Sequence, residues 1–348
     1  MDLALYDPED GYYASGAQRT GWAGDFVTSP EIDPAFGSLW TRAFERTWEA
    51  AGRPDPFHII EAGAGEGGFA EAVLGSASDR FASSLRYVIV ERVPGVAERQ
   101  RERLGAGVAW VSALDDVGEV AAGCVVANEV LDNQPVHLVE RRDGALVELY
   151  VAGAGQRLQL EQGDISDPAI ELFVDDYGLA INEGARAEVG LASMSFTSSL
   201  VDSLARGAIF LIDYGAASAQ LGLREGGTLV TYGAGVGEDV LEAPGARDIT
   251  AHVNWSAVAD ACASRDATVA PLVSQRDALR ALGLDDLHVA LRRDHEAAVA
   301  SGRGADAVRS LSRRQALGVL ADPNGLGGLQ VLVASKNLEP PITLMPNA

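Results

Sequence analysis

Cysteine, lysine and long apolar runs are nearly absent from this chain, and each absence narrows its function. Its two cysteines, Cys124 and Cys262, have neither CxxC spacing nor a histidine cluster nearby. That argues against a disulfide framework or a structural zinc site. The five histidines show no metal spacing, so no metal ligand is assigned. No apolar run approaches the roughly 20 residues that span a bilayer, so no membrane insertion is expected. The opening MDLALYDPEDGYY is acidic and aromatic. It lacks the basic start and apolar stretch of a secretory signal, and a cytoplasmic protein is expected. Positive charge is also scarce: 27 basic against 50 acidic residues leave a formal net charge of −23, and Lys336 is the sole lysine. Such a surface repels phosphate backbones, so no nucleic-acid partner is expected. An acidic protein suits a basic partner, such as an arginine-bearing polypeptide. The pattern leaves the oligomeric state unknown.

What is present is an ordinary globular composition, 47% hydrophobic over 348 residues. Residues 1–56 read as an N-terminal loop and helix covering a site. In that segment Phe36, Leu39, Trp40, Ala43, Phe44 and Trp48 recur at helical spacing after Asp33-Pro34 and stop at Gly52. Residues 57–134 alternate buried strands (FHIIEAG, RYVIVE, VAWV, CVVANEV) with helices, the mark of a parallel sheet with crossover connections. Between 135 and 192 the pattern changes to alternation with an Asp143-Gly144 turn, an antiparallel insertion over the sheet edge or the mouth of the site. From 193 to 337 the chain returns to helix and buried strand (GAIFLIDYG, GTLVTYG, LQVLVASK), and 338–348 form an extended or disordered tail.

Directly after the first sheet strand comes Glu61-Ala62-Gly63-Ala64-Gly65-Glu66-Gly67-Gly68. Glycines there let the chain turn sharply and let a cofactor approach without meeting a Cβ. The string fits the dinucleotide fingerprint as Gly63-x-Gly65-x-x-Gly68, and it fits a methyltransferase loop as Glu61-x-Gly63-x-Gly65-x-Gly67. Glu91, ending the second strand, suits ribose hydroxyls in either case. Three features favour S-adenosyl-L-methionine: the long segment before the first strand, the lack of basic groups for a pyrophosphate, and the polar ending Asn128-Glu129-Val130-Leu131-Asp132 after the fourth strand. A nicotinamide-dependent oxidoreductase stays open on the GxGxxG reading.

The strings LALYDPEDGYY, GDFVTSPEIDPAFG, EAGAGEGGFA, NEVLDNQPV, IFLIDYG, GTLVTYG and PGARDITAHVNW together resemble the MidA family of S-adenosylmethionine-dependent methyltransferases, over about residues 1–336. The resemblance implies a class I, Rossmann-like α/β fold with a mostly parallel sheet. It also implies a protein arginine methyltransferase related to the mitochondrial proteins needed to assemble respiratory complex I, so a complex I subunit is one expected substrate. Family members usually carry a helical stretch before LALYDPEDGYY, which makes Met1 an expected internal methionine. The chain departs from the family pattern at Ala64, Glu66, Asn133, Gln134 and Asn254.

The expected cofactor-binding residues are Glu61, Gly63, Gly65, Gly67, Glu91 and Asn128, with Asp25 and Ser29 from the GDFVTSPEI loop covering the cofactor. Ser29-Pro30-Glu31 reads equally as a helix start. The expected catalytic residues are Glu129 and Asp132, which suit a guanidinium through paired carboxylates, with Glu31 and the proton-relay candidate His252. Asp213 and Tyr214 end a central strand as site residues or as a turn cap. Three other readings compete: a binding module or assembly factor that keeps the cofactor but has weak turnover, the oxidoreductase, and a small-molecule methyltransferase.

Overall fold

A computed structural model of the chain describes residues 1–14, 27–154, 157–233, 236–237 and 239–345. Its centre is a twisted sheet built from β1 (Phe57–Ala62), β2 (Leu85–Val90), β3 (Val108–Val111) and β4 (Gly123–Asn128). The antiparallel insertion contributes β5 (His137–Arg142), β6 (Ala145–Ala154), β7 (Arg157–Gly163) and β8 (Arg186–Val189) to a sheet of their own, in the order β7-β6-β5-β8. The chain then returns to the centre through β9 (Gly207–Asp213).

The central order is β3-β2-β1-β4-β9, followed by Gln330–Lys336 and Thr268–Val269, and Val273–Ser274 also pairs with Gln330–Lys336. The first five strands are parallel. Gln330–Lys336 runs antiparallel to β9, with Gln330 opposite Asp213. Strand order reverses between β1 and β4, so their carboxyl ends open a crevice where helices leave in opposite directions. The registers Ala62↔Val90 and Ala62↔Ala127 bring the strand ends level around that crevice.

Both faces of the sheet are covered, which is why these strands read as continuous apolar runs. Helix α1 (Asp2–Tyr6) and the short α2 (Ser29–Ile32) precede α3 (Ala35–Ala50), which lays Phe36, Trp40 and Phe44 against Phe69 and Phe210 on one face. The second face packs Ile60, Val125 and Leu211 under Leu200, Trp255 and Val258. Gly52, at φ +85°, ends the α3 region as the pattern predicts.

The structure adds elements that local patterning did not separate. GTLVTYG supplies Val230–Tyr232 to a small sheet with residues 236–237 and Asp248–Thr250, apart from the central sheet. Two 17-residue helices, Leu284–Ala300 and Gly304–Leu320, form a hairpin before the last strand. The tail is extended and packed: Leu338 and Leu344 are buried in the main core. Among the described residues no helix is long and apolar enough to cross a membrane.

Candidate functional site

A cavity of about 440 Å³ opens at the carboxyl ends of β1, β2 and β4, roofed by parts of residues 1–14 and the α2 region. Its floor is the glycine loop. Gly63, Gly65 and Gly67 have φ of +68°, +52° and +81°, conformations that side-chain-bearing residues rarely hold. A Cβ on Gly63 would stand 2.7 Å from Val130 Cγ2, so this glycine also lets the post-β4 loop close down. Helix α4 (Gly68–Ser76) begins immediately after Gly67. Glu61 is buried and accepts from the Tyr87 hydroxyl at 2.6 Å. Burial raises its carboxyl to about 7 against that hydrogen bond.

Glu66 does not add free negative charge to the cavity. Arg99 grips it with Nε at 3.0 Å and Nη2 at 2.9 Å, a forked pairing. Fully buried Gln100, one residue on, connects three parts of the wall. Its Nε2 donates to Gly65 O at 2.8 Å and to Glu91 Oε2 at 3.3 Å, while its Oε1 accepts from Trp110 Nε1 at 3.0 Å. The other Glu91 oxygen accepts from Val93 N at 2.9 Å. Burial first of all raises the Glu91 carboxyl.

The post-β4 loop holds the acid cluster. Glu129 sits at φ +54°, a strained conformation for a residue with a side chain, and its N–H is fixed on Ile212 O at 2.8 Å. Its carboxyl accepts from Asn128 Nδ2 at 3.1 Å and from Ser29 N, yet burial and Asp213 push it up to about 8. Asp213 is the anchor of the loop: its Oδ2 accepts from Val130 N, Leu131 N and Asp132 N at 3.1, 2.8 and 3.2 Å. Asp213 thus secures the loop after the neighbouring strand as well as its own next amide, Tyr214 N at 2.7 Å. Asp132 is 5% exposed, and its Oδ1 has no hydrogen-bond partner among the described residues. Burial raises its carboxyl well above the usual range, and Asp213, Asp248 and Glu129 push it the same way.

The predicted residues separate into groups. Glu61, Gly63, Gly65, Glu91, Asn128, Glu129, Asp132 and Glu31 all line the cavity. Gly67 shapes the turn from just behind the lining, as the left-handed residue before α4. Ser29 is turned away: its hydroxyl donates to Gln275 Oε1 at 3.0 Å, and only its backbone N–H reaches Glu129. Nor does Ser29 cap a helix, since Thr28 holds the N-cap position of α2. His252 does not line the cavity; its own N–H donates to Thr228 Oγ1, and burial lowers its imidazole. Asp25 lies outside the described residues. Sequence reasoning missed Gln100, hidden in a mixed polar helix, and Tyr6, Tyr13 and Tyr232, which line the cavity from distant segments.

The lining matches a cation-bearing cofactor without phosphate. Asn128 Oδ1 is buried at the end of β4 without a partner among the described residues, an acceptor suited to an ammonium group. Glu91 suits the two hydroxyls of a ribose, and the bare Gly63–Gly65 backbone leaves room for a chain to pass. Both arginines among the described lining residues are engaged, Arg99 with Glu66 and Arg92 with Asp2 at 3.3 Å.

Known proteins agree with this chemistry. A family profile described as "Putative S-adenosyl-L-methionine-dependent methyltransferase" matches residues 39–272. A superfamily member from Burkholderia thailandensis, solved bound to S-adenosyl-homocysteine, shares 29% identity at a TM-score of 0.84, covering 97% of this chain and 86% of that one. The mouse mitochondrial protein arginine methyltransferase NDUFAF7 is 28% identical, over 82% of this chain and 70% of its own length. Its human counterpart is 26% identical, over 86% and 72%.

Proposed function

The chain belongs to the S-adenosyl-L-methionine-dependent methyltransferase family, and on that premise we propose that it methylates an arginine of a polypeptide. The observation carrying the acceptor is Asp132 Oδ1, a buried carboxyl oxygen with no partner among the described residues, on a residue that lines the cofactor cavity. A buried acceptor of this kind costs free energy unless a ligand supplies a donor. A guanidinium supplies several donors in one plane, together with the positive charge that the surrounding acids favour.

When bound, S-adenosyl-L-methionine supplies a methyl group already activated on its sulfonium. The protein's part is alignment and charge. Glu91, braced by Gln100, grips the ribose; Asn128 Oδ1 and the glycine loop hold the methionine part. Asp132 and Glu129 receive the acceptor guanidinium and align one nitrogen. That nitrogen must shed a proton as it gains the methyl group. The positive charge of an arriving guanidinium would drive the proton of Glu129 to solvent, its carboxylate would then take the proton that the nitrogen sheds, and its value of about 8 without a ligand would let it hold that proton at neutral pH. Glu31 lines the same wall, and its role is to add negative charge on the acceptor side.

The names of the mouse and human relatives support arginine as the acceptor, and the MidA resemblance makes a respiratory complex I subunit the first substrate to try. The net charge of −23 favours a basic polypeptide, and the same proposal places the protein in the cytoplasm. The departures that suggest a binding module are accommodated in the fold. Glu66 is neutralised by Arg99, and Gln134 turns back onto Val130 O at 3.1 Å. The test is incubation with methyl-labelled cofactor and arginine-rich polypeptides, then hydrolysis to amino acids. Label in methylarginine is expected; label confined to lysine, carboxyl groups or small molecules overturns the arginine reading.

A further inference from the structure

The N-terminal segment is anchored at both ends of the cavity. Beside the cofactor wall, the Arg92 guanidinium lies 4.0 Å from the centre of the Tyr6 ring. At the acid cluster, the Tyr13 hydroxyl lies 3.1 Å from both Asn133 Oδ1 and Asp248 Oδ2. A hydroxyl has one proton, so that proton is shared between two acceptors. Asn133 closes the ring, its Nδ2 donating to Asp248 Oδ1 at 3.0 Å and Ile249 O at 3.1 Å. The Tyr6 and Tyr13 rings stack at 5.5 Å and 19°, which joins the two anchors.

This ring lies beside the acceptor carboxylate. Asp132 precedes Asn133, and its backbone is already pinned on both sides, by Asp213 Oδ2 at 3.2 Å and by Ala251 N at 2.9 Å. The Asn133 side chain ties the next residue to the same Asp248–Thr250 strand. Asp248 meanwhile accepts from Asn133 Nδ2, Ile249 N and the Tyr13 hydroxyl. Its carboxylate is thereby committed to the scaffold, while Asp132 keeps an oxygen for a ligand.

We propose that Tyr13, acting through Asn133 and Asp248, is a positioning residue that sets Asp132 for the methyl acceptor. Residues 1–14 then govern turnover of the acceptor as well as lining the cavity through Tyr6 and Tyr13. This rests on the reading of Asp132 as the acceptor carboxylate. Without the Tyr13 bond, Asp248 Oδ2 loses that donor and holds the residues beside Asp132 less firmly. The tie through Asn133 loosens at the same time. A misplacement of about 1 Å costs on the order of 100-fold in rate.

Tyr13→Phe tests this because it keeps the ring and its stacking. Affinity for S-adenosyl-homocysteine by calorimetry is expected to stay within about twofold, while kcat falls about tenfold or more with little change in KM for the acceptor. Amide deuterium exchange in residues 130–134 is expected to speed up. Asn133→Ala severs the ring from the other side and is expected to give the same pattern, with the double variant no worse than either single one. A rise in the dissociation constant for S-adenosyl-homocysteine that accounts for the whole loss of rate, with exchange at 130–134 unchanged, overturns the proposal. So do additive losses in the double variant. The exchange and calorimetric measurements need no acceptor. They decide the role of Tyr13 even if the methylated amino acid proves not to be arginine, which only product analysis decides.

Discussion

Replacing Gln100 by leucine probes how the cofactor wall is held. The side chain is fully buried and similar in volume to leucine, so the change removes hydrogen bonds with little loss of packing. Three bonds go: Nε2 to Gly65 O at 2.8 Å, Nε2 to Glu91 Oε2 at 3.3 Å, and Trp110 Nε1 to Oε1 at 3.0 Å. The Gly65 carbonyl and the Trp110 N–H lose these protein partners, at about 1–3 kcal/mol for a buried group and less for the half-exposed indole. The folded state is therefore expected to lose about 2–4 kcal/mol. Among the described residues Glu91 then keeps its bond from Val93 N alone and is freer to turn. Losing one orienting bond to a charged group is worth roughly 1.5–3 kcal/mol, so S-adenosyl-homocysteine should bind on the order of 10- to 100-fold more weakly. Thermal melting and calorimetry on the same preparation read both effects. Wild-type affinity in a protein that melts several degrees lower would refute the reasoning, since Gln100 would then brace the fold without setting the ribose grip.

Other perturbations separate the remaining parts of the site. Gly63→Ala puts a Cβ 2.7 Å from Val130 Cγ2 at φ +68°, and it should cost about 2–4 kcal/mol in melting experiments and abolish detectable cofactor binding. Asp132→Asn keeps shape but removes the carboxylate that an arriving guanidinium would induce; cofactor affinity should persist while kcat falls roughly 100-fold, read by methyl transfer to an arginine peptide. Stability should also depend on pH with an unusual sign. Glu61, raised to about 7, holds a proton in the folded state that the unfolded chain has released above about 4.5. Its stabilising neutral form is fully present below that window and is lost as pH rises toward 7. Denaturant titrations should therefore show stability falling from pH 5 to pH 8, with Glu61→Gln removing at most roughly 3 kcal/mol of the slope. An unchanged slope in that variant would mean that Glu61 is ionised throughout.

The central sheet was legible because its strands are buried on both faces and end in glycine or polar clusters. The α3 stripe Phe36–Trp40–Phe44 was legible for the same reason, since its helical spacing matches one buried face. The Glu61–Gly68 loop stood out because three left-handed glycines have few other uses after a strand. What escaped were interactions between residues far apart in the chain. Gln100 looks like any polar helical position until Gly65, Glu91 and Trp110 surround it. Asp213 was open to two roles because a carboxylate ending a strand looks the same whether it binds a ligand or three neighbouring amides. His252 attracted attention as the only histidine in its string, yet the turn places it off the cavity. Ser29 likewise preceded a proline and an acid, but its hydroxyl is taken by Gln275, 246 positions later.

A crystal structure of the chain with S-adenosyl-homocysteine and an arginine-containing peptide tests the acceptor role of Asp132 most directly. Adenosine hydroxyls are expected on Glu91, the amino group near Asn128, and a guanidinium nitrogen within about 3 Å of Asp132 Oδ1, on the side facing the sulfur. A guanidinium bound elsewhere, with Asp132 still without a donor beside the sulfur, would contradict that role.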